Sequence, residues 1–398
     1  MKQISSRSFP EVFIVFFKLG LTSFGGPIAH LGYFRNELVR NRRWISEEQY
    51  AQLIALCQFL PGPASSQMGF SLGLLRAGWA GAIAAFIAFT LPSALLMFGF
   101  AILLPNITGV AGSAAIHGLK LVALAVVAHA VLGMGRQLCP DTTRLAIASI
   151  AAIVILFTDH AWIQLLAVLA GAVAGFAVCH NVKPVTQSTL ETGISPKVGG
   201  FLLLVFALFL AGLPFFARDG NSLVAIAEAF YRAGALVFGG GHVVLPLLEE
   251  TVVKPGWISQ DEFLAGYGAA QAVPGPMFTF AAFLGARLPE GIGMFTGAGV
   301  AVTAIFLPGF LLLSGVLPLW HAIASGPVAA RAVAGVNAAV VGLLAAALYD
   351  PVWTSAVRTP IDIVVALVGF VMLVAWKLSP LLVVLWCVLA SVTTVYIY

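Results

Sequence analysis

Phe16–Gly26 reads FFKLGLTSFGG and Phe230–Gly240 reads FYRAGALVFGG. In register, Phe24-Gly25-Gly26 falls on Phe238-Gly239-Gly240 and Lys18 falls on Arg232. A self-match at this distance sets the architecture, because a repeat must be recognised before any fold is proposed. Working outward, Trp44-Ile45-Ser46 matches Trp257-Ile258-Ser259 and Glu48 matches Asp261. Gln58 with Pro61-Gly62-Pro63 matches Gln271 with Pro274-Gly275-Pro276. A third block pairs Gly81-Ala82 and Leu91-Pro92 with Gly297-Ala298 and Leu307-Pro308, and Gly118–Val122 runs parallel to Gly335–Ala339. Length differences fall between the blocks, as loop insertions do.

The repeated unit is a membrane unit. Apolar residues make up 60% of the 398, charged residues 9%, and the mean hydropathy is +1.01, which describes a chain solvated by lipid. At about 20 residues per crossing there is room for roughly ten segments, and no separate soluble domain is left over. A net charge of +4, scattered among apolar runs, cannot build the continuous basic face that nucleic acid requires. Cys57, Cys139, Cys179 and Cys387 lie far apart without the paired spacings of zinc or redox sites, and read as apolar fillers. Neither a metal nor a cofactor is expected. Lys2 and Arg7 ahead of Phe9–Phe24 imitate a secretory leader. Glu11 and Lys18 interrupt that run, and it has a repeat partner, so it is expected to belong to the mature protein.

The expected fold is an all-α polytopic membrane protein of two homologous repeats, inverted, with helices broken at Gly-Gly and Pro-Gly-Pro. The first repeat covers 1–180, a polar linker 181–198, a linking transmembrane helix 199–217 and the second repeat 218–398. Long helices are expected at Trp79–Leu104, Ser113–Met134, Leu145–Phe157 and Trp162–Val178. The second half offers Gly291–Leu317, Val328–Leu348, Ile361–Trp376 and Leu381–Val395. An odd number of crossings between repeats makes them face opposite ways, as in many secondary transporters. By crossing parity, inversion requires that Gln49–Arg76 cross once as a broken helix; a hairpin there would give parallel repeats. The first polar loop carries Arg35, Arg40, Arg42 and Arg43, while its counterpart sets Lys254 beside Glu249, Glu250, Asp261 and Glu262. Positive loops stay cytoplasmic, so the two loops are expected on opposite sides.

Chemistry belongs where the backbone breaks, because irregular backbone at membrane depth survives only when buried in protein or lining a cavity. Each half has two such breaks: Gly25 and Gly26, then Gly62 and Pro63; Gly239 and Gly240, then Gly275 and Pro276. Pro-Gly-Pro can open a half-helix whose amino end points inward and attracts anions. Ser65, Ser66 and Gln67 follow the first Pro-Gly-Pro as neutral donors, whereas the second offers only Thr279, so the halves are not chemically equivalent. Lys18 and Arg232 are cations within apolar segments, where charge is costly and marks a functional path; the alternative is that each snorkels or pairs, Glu228 standing one turn from Arg232. Gln58 and Gln271 are candidates for substrate contact or for interhelical hydrogen bonds. His30 and His242 are candidate proton relays or structural partners. Glu48 and Asp261 are candidate proton carriers or helix-start residues after Ser46 and Ser259.

The strings FGGPIAHLGYFRNELV, RRWISEEQY and ALCQFLPGPASSQMG, followed by VFGGGHVVLPLLEE and GYGAAQAVPGPMFTFAAFLG, resemble the chromate ion transporter family in its long, two-domain form. They match in order and in both halves. The resemblance implies a multi-pass protein of the bacterial inner membrane that exports chromate, confers chromate resistance, and meets sulfate as a structural analogue. It carries the family's motifs onto Gly25, Gly26, Pro61, Gly62 and Pro63 and onto Gly239, Gly240, Pro274, Gly275 and Pro276. The expected partners are a chromate or sulfate oxyanion and the lipid bilayer, with a homodimer as a candidate assembly. The expected mechanism is alternating access around a midplane site. A channel for another small anion such as sulfate is the rival reading. An enzyme is not expected, since no His-Glu-x-x-His or Gly-x-Ser-x-Gly is present.

Overall fold

The computed structural model describes residues 8–158, 162–180, 194–217, 222–238, 240–288, 291–320 and 327–397. Gly239, the leader-like Lys2 and Arg7, and residues 181–193 of the polar linker lie outside them. Among the described residues every element is helical.

The first half runs α1 (Ser8–Thr22), α2 (Gly26–Phe34, continued by a wider turn over Arg35–Asn41), α3 (Glu47–Phe59), α4 (Ala64–Leu103), α5 (Gly109–Leu138), α6 (Thr142–Leu156) and α7 (Trp162–Val178). The linking helix is α8 (Pro196–Phe216). The second half repeats the order with α9 (Leu223–Leu236), α10 (Val244–Leu248), α11 (Gln260–Ala270), α12 (Phe280–Ala286), α13 (Met294–Val316), α14 (Pro327–Ala347), α15 (Pro360–Val374) and α16 (Pro380–Ile397). The long helices stand where hydropathy predicts them. α4 is two helices folded over a sharp turn at Ala77 and Gly78 (φ 64, ψ −157); residues 64–76 are α4a and 79–103 are α4b. At 1.5 Å per residue α4b is about 37 Å long, enough to cross a bilayer.

The chain forms two compact units: Met1–Phe98, Pro184–Gly241 and Pro274–Gly326 make the first, and Gly99–Lys183, His242–Val273 and Pro327–Tyr398 the second. Each draws on both halves of the sequence, so the repeats interleave.

Within the first unit, Glu11 near the start of α1 pairs with Arg42 beyond α2 (3.4 Å) and with Arg76 at the end of α4a (2.9 Å). Glu47 at the start of α3 pairs with Arg35 (2.8 Å). These contacts gather both ends of two helical pairs at one level. Each pair therefore runs inward and comes back, α1 and α2 around Ser23–Gly26, α3 and α4a around Pro61-Gly62-Pro63. Residues 49–76 are a hairpin, against the single crossing that parity demands for inversion. The repeats are inverted nonetheless. α4b and its repeat counterpart α13 lie antiparallel: Phe98 near the end of α4b meets Phe295 at the start of α13 (4.5 Å between ring centroids), while Phe86 meets Phe306 and Phe310 further along α13 (5.1 and 4.8 Å). The parity count fails because α1 with α2 also returns instead of crossing.

Equivalent glycines let equivalent helices touch, as small residues do in membranes. A Cβ on Gly20 of α1 would lie 2.7 Å from Phe89 O of α4b, and one on Gly234 of α9 would run into Ile305 O of α13. In the second unit the exchange is reciprocal. Gly118 of α5 backs onto Cys387 and Val388 of α16, and Gly335 of α14 backs onto Gly171 and Gly175 of α7. α8 is almost wholly unburied, and its Phe201, Leu204, Leu208 and Phe215 are exposed.

A cysteine-free variant carrying Phe98→Cys and Phe295→Cys is expected to be joined by a short thiol-reactive cross-linker, whereas Phe98→Cys with Phe310→Cys is not. Gel mobility after proteolysis of the 181–193 linker checks this, and the reverse pattern would mean parallel repeats.

Candidate functional site at the crossed helix breaks

The four breaks meet in the first unit. Gly62 N–H donates to Val237 C=O at 2.7 Å, and Gly275 N–H donates to Ser23 C=O at 2.8 Å. Gly62 and Gly275 are repeat counterparts, as are Val237 and Ser23, so the two bonds are the same contact made twice, each from one half's Pro-Gly-Pro to the other half's Gly-Gly break. The third participant also repeats: a Cβ on Gly62 would lie 3.0 Å from Gly309 Cα, and one on Gly275 would lie 2.8 Å from Ser93 Oγ. Ser93 and Gly309 each follow the proline inside α4b and α13. Both glycines sit at positive φ, 122° and 98°, which side chains rarely tolerate. Gly25 and Gly26 also hold positive φ.

The framework is symmetric but its lining is not. Ser23, His30, Ser65, Ser66, Gln67, Ser71, Thr90 and Ser93 are all buried, and all belong to the first half. The second half places Val237 opposite Ser23, Phe278 opposite Ser65, Phe280 opposite Gln67 and Phe306 opposite Thr90. Thr279 is buried too, with its hydroxyl donated to Pro276 O at 2.7 Å. Gln67 turns back over the start of α4a and donates from Nε2 to Pro61 O (2.9 Å) and Gly309 O (3.0 Å). Gln67 Oε1, Ser66 Oγ, Ser23 Oγ and Thr90 Oγ1 are buried and have no hydrogen-bond partner among the described residues, each a cost of about 1–3 kcal/mol if left so. His30 presents its ring edge-on to Phe89 (5.5 Å). Ser23, Thr90 and Ser93 are missing from the sequence-based candidates. Comparing the halves position by position beside Gly25 and Pro92 would have found them, since each faces an apolar residue or a glycine across the repeat.

The remaining candidates disperse. Lys18 is exposed on α1. Arg232 is held by Glu228 one turn away (2.7 Å). Among the described residues, no hydrogen bond or ion pair links either cation to a break. Gln58 is exposed and Gln271 half-buried, the latter reaching Tyr267 O at 3.4 Å. Glu48 is exposed beside a helix cap made by Ser46 with Gln49. The basic loop is internally compensated, and the Arg42 hydrogen bond to Glu37 holds that carboxyl below its ordinary range. The apolar groove lined by Phe209, Leu213, Tyr231, Val300 and Leu307 opens beside the exposed face of α8 and is no part of the site.

In the second unit, His242 bonds Tyr267 through Nδ1 (2.7 Å), and Asp261 meets a cation absent from the sequence-based candidates. Lys120 of α5, 1% exposed, places Nζ 2.7 Å from Asp261 Oδ1, and Arg358 reaches the other oxygen at 3.5 Å. Lys120 lies in the Gly118–Val122 block opposite Asn337, so the repeat comparison already exposes it as a charge that one half has and the other lacks. Next to it His117 bonds Asp362 at 2.7 Å.

A family profile described as chromate transporter matches residues 10–176 and 224–392. A chromate transport protein of Pseudomonas aeruginosa is 30% identical over 93% of this chain and 88% of its own length. A probable chromate transport protein of Synechococcus elongatus is 29% identical over 92% and 89%. An uncharacterized transporter of Methanocaldococcus jannaschii is 25% identical over 87% and 85%. No solved structure matches.

Gly62→Ala and Gly275→Ala are each expected to cost about 1–3 kcal/mol. Gly62→Ala should cost more, since it meets backbone where Gly275→Ala meets a hydroxyl that can rotate; melting in detergent ranks them. Asp261→Asn, which strands a buried ammonium, is expected to destabilise by about 3 kcal/mol or more. Lys120→Met leaves only a half-exposed carboxylate beside Arg358 and should be milder in the same assay.

Proposed function

Because the chain belongs to the chromate transporter family, we propose that it is a secondary active transporter that exports chromate across a bacterial inner membrane, with the crossed breaks as its substrate site. The observation that carries this reading is the pair of backbone latches, Gly62 to Val237 and Gly275 to Ser23, set among buried donors at the starts of inward-pointing helices. Such starts present free N–H groups and a positive dipole end to an anion. Hydroxyl and amide groups complete a dry cage for a tetrahedral oxyanion.

Inversion gives the latches a mechanical role. Two equivalent contacts related by inversion face opposite sides, so opening one exposes the site to the cytoplasm and opening the other exposes it outward, which is alternating access. The basic loop at Arg35–Arg43 sits on the cytoplasmic side by the positive-inside rule. Export confers chromate resistance by lowering the cytoplasmic level, and sulfate, alike in shape, is the competitor to measure.

Labelled chromate flux into proteoliposomes is expected to saturate and to respond to an imposed membrane potential. Gly62→Ala and Gly275→Ala should lower the maximal rate at matched reconstitution, and Lys18→Gln and Arg232→Gln should lower it only if those cations line the path. Flux that stays linear with concentration would make the protein a channel; absence of chromate flux would overturn the assignment.

A further inference from the structure

We propose that the site selects chromate in its monoprotonated form, with Gln67 Oε1 accepting the hydrogen of the bound anion, and that this distinguishes chromate from sulfate. The inference rests on the reading of the breaks as the substrate site.

The orientation of the Gln67 amide is fixed by its surroundings. Its nitrogen end touches two carbonyl oxygens, Pro61 O and Gly309 O, at 2.9 and 3.0 Å; an oxygen there would face two acceptors, so the NH2 group must occupy that end. Oε1 is thereby turned the other way, on a side chain with 0% exposure, and has no donor among the described residues. A buried acceptor without a donor is open to a ligand that brings one.

The group lies where an anion is also favoured. The first intrahelical bond of α4a is Gln67 N–H to Pro63 O (2.9 Å), so the amides of Ala64, Ser65 and Ser66 precede it and are the free donors of the helix start. Ser66 Oγ, 2% exposed and unpartnered among the described residues, stands with them. Donors for the anion's bare oxygens and one acceptor for a hydroxyl together describe a protonated oxyanion. Charge agrees. No Lys or Arg among the described residues pairs with Gln67 or Ser66, and neutral donors hold a monoanion at less cost than a dianion. The second half supplies Phe280 in place of Gln67, so it has no such acceptor. Hydrogen chromate is a weak acid that keeps its proton into the near-neutral range, whereas hydrogen sulfate is a strong acid that has lost it. The selection therefore reads a property in which the two tetrahedral oxyanions differ, their acidity.

Titratable groups on the elements around this helix start are Glu11 and Lys18 of α1, His30 and Tyr33 of α2, Glu47, Glu48, Tyr50 and Cys57 of α3, Arg76 of α4a, and Tyr231 with the Glu228–Arg232 pair of α9; α13 carries none. Because any of these could impose a pH dependence of its own, the test pairs a pH profile with anion competition.

The experiment is exchange of labelled for unlabelled chromate in proteoliposomes of the full chain, with equal pH on both sides and no membrane potential. At fixed, low total chromate the rate should fall about tenfold per pH unit once chromate loses its proton. Phosphate, which keeps a hydrogen, should compete far better than sulfate. A rate flat with pH, or sulfate competing as well as phosphate, overturns the proposal. Gln67→Met keeps the volume and removes the acceptor, so sulfate inhibition should rise toward that of phosphate; unchanged discrimination in this variant also overturns it. Should Gln67→Met fail to fold, the two wild-type measurements decide. Absence of chromate exchange at every pH would instead overturn the transport reading, and the proposal with it.

Discussion

Everything in the first unit is arranged around two backbone hydrogen bonds that each half gives to the other, Gly62 to Val237 and Gly275 to Ser23. Helix ends inside a bilayer have no water to satisfy them, so a chain that breaks its helices at membrane depth must supply partners from elsewhere in the protein. Here the partner of each break is the other half's break. That requirement accounts for the glycines at positive φ, for the small residues where α1 meets α4b and α9 meets α13, and for the antiparallel course of α4b and α13, which brings the two hairpin tips together.

Against this symmetric frame the side chains diverge. Most of the buried polar groups of the first unit come from the first half, and Ser23, Ser65, Gln67 and Thr90 have valine or phenylalanine as counterparts. The second unit shows the same inequality with Lys120 against Asn337. Duplication explains the frame and specialisation explains the lining: backbone latches need both copies, whereas one ligand needs only one set of donors.

Much of this was legible in the sequence. The repeat, the helices and the breaks follow from apolar periodicity and from Gly and Pro, whose backbone consequences are local. The sense of the first hairpins was not legible, because hydropathy marks a segment as apolar without saying whether it crosses or returns; ion pairs from Glu11 to Arg42 and Arg76 decide that, and they join residues far apart in the chain. Lys18 and Arg232 drew notice as charges in apolar runs, yet one is exposed and the other is paired with Glu228. Depth in a bilayer and depth in a protein are different quantities, and the sequence reports only the first. Lys120 escaped notice for the opposite reason, a single cation in a long helix whose partner Asp261 lies on another element.

Interleaving also governs the order of events during synthesis. When the ribosome has made the first half, Gly62 N–H has no acceptor, since Val237 and the α13 backbone that supports it are still to come. The latch at Pro61-Gly62-Pro63 therefore cannot close until Val237, 175 residues further along the chain, has been made. Folding is completed by the arrival of the last partner and not by stepwise addition of finished helices, and a chain severed in the polar linker would have to find its other half to be stable at all.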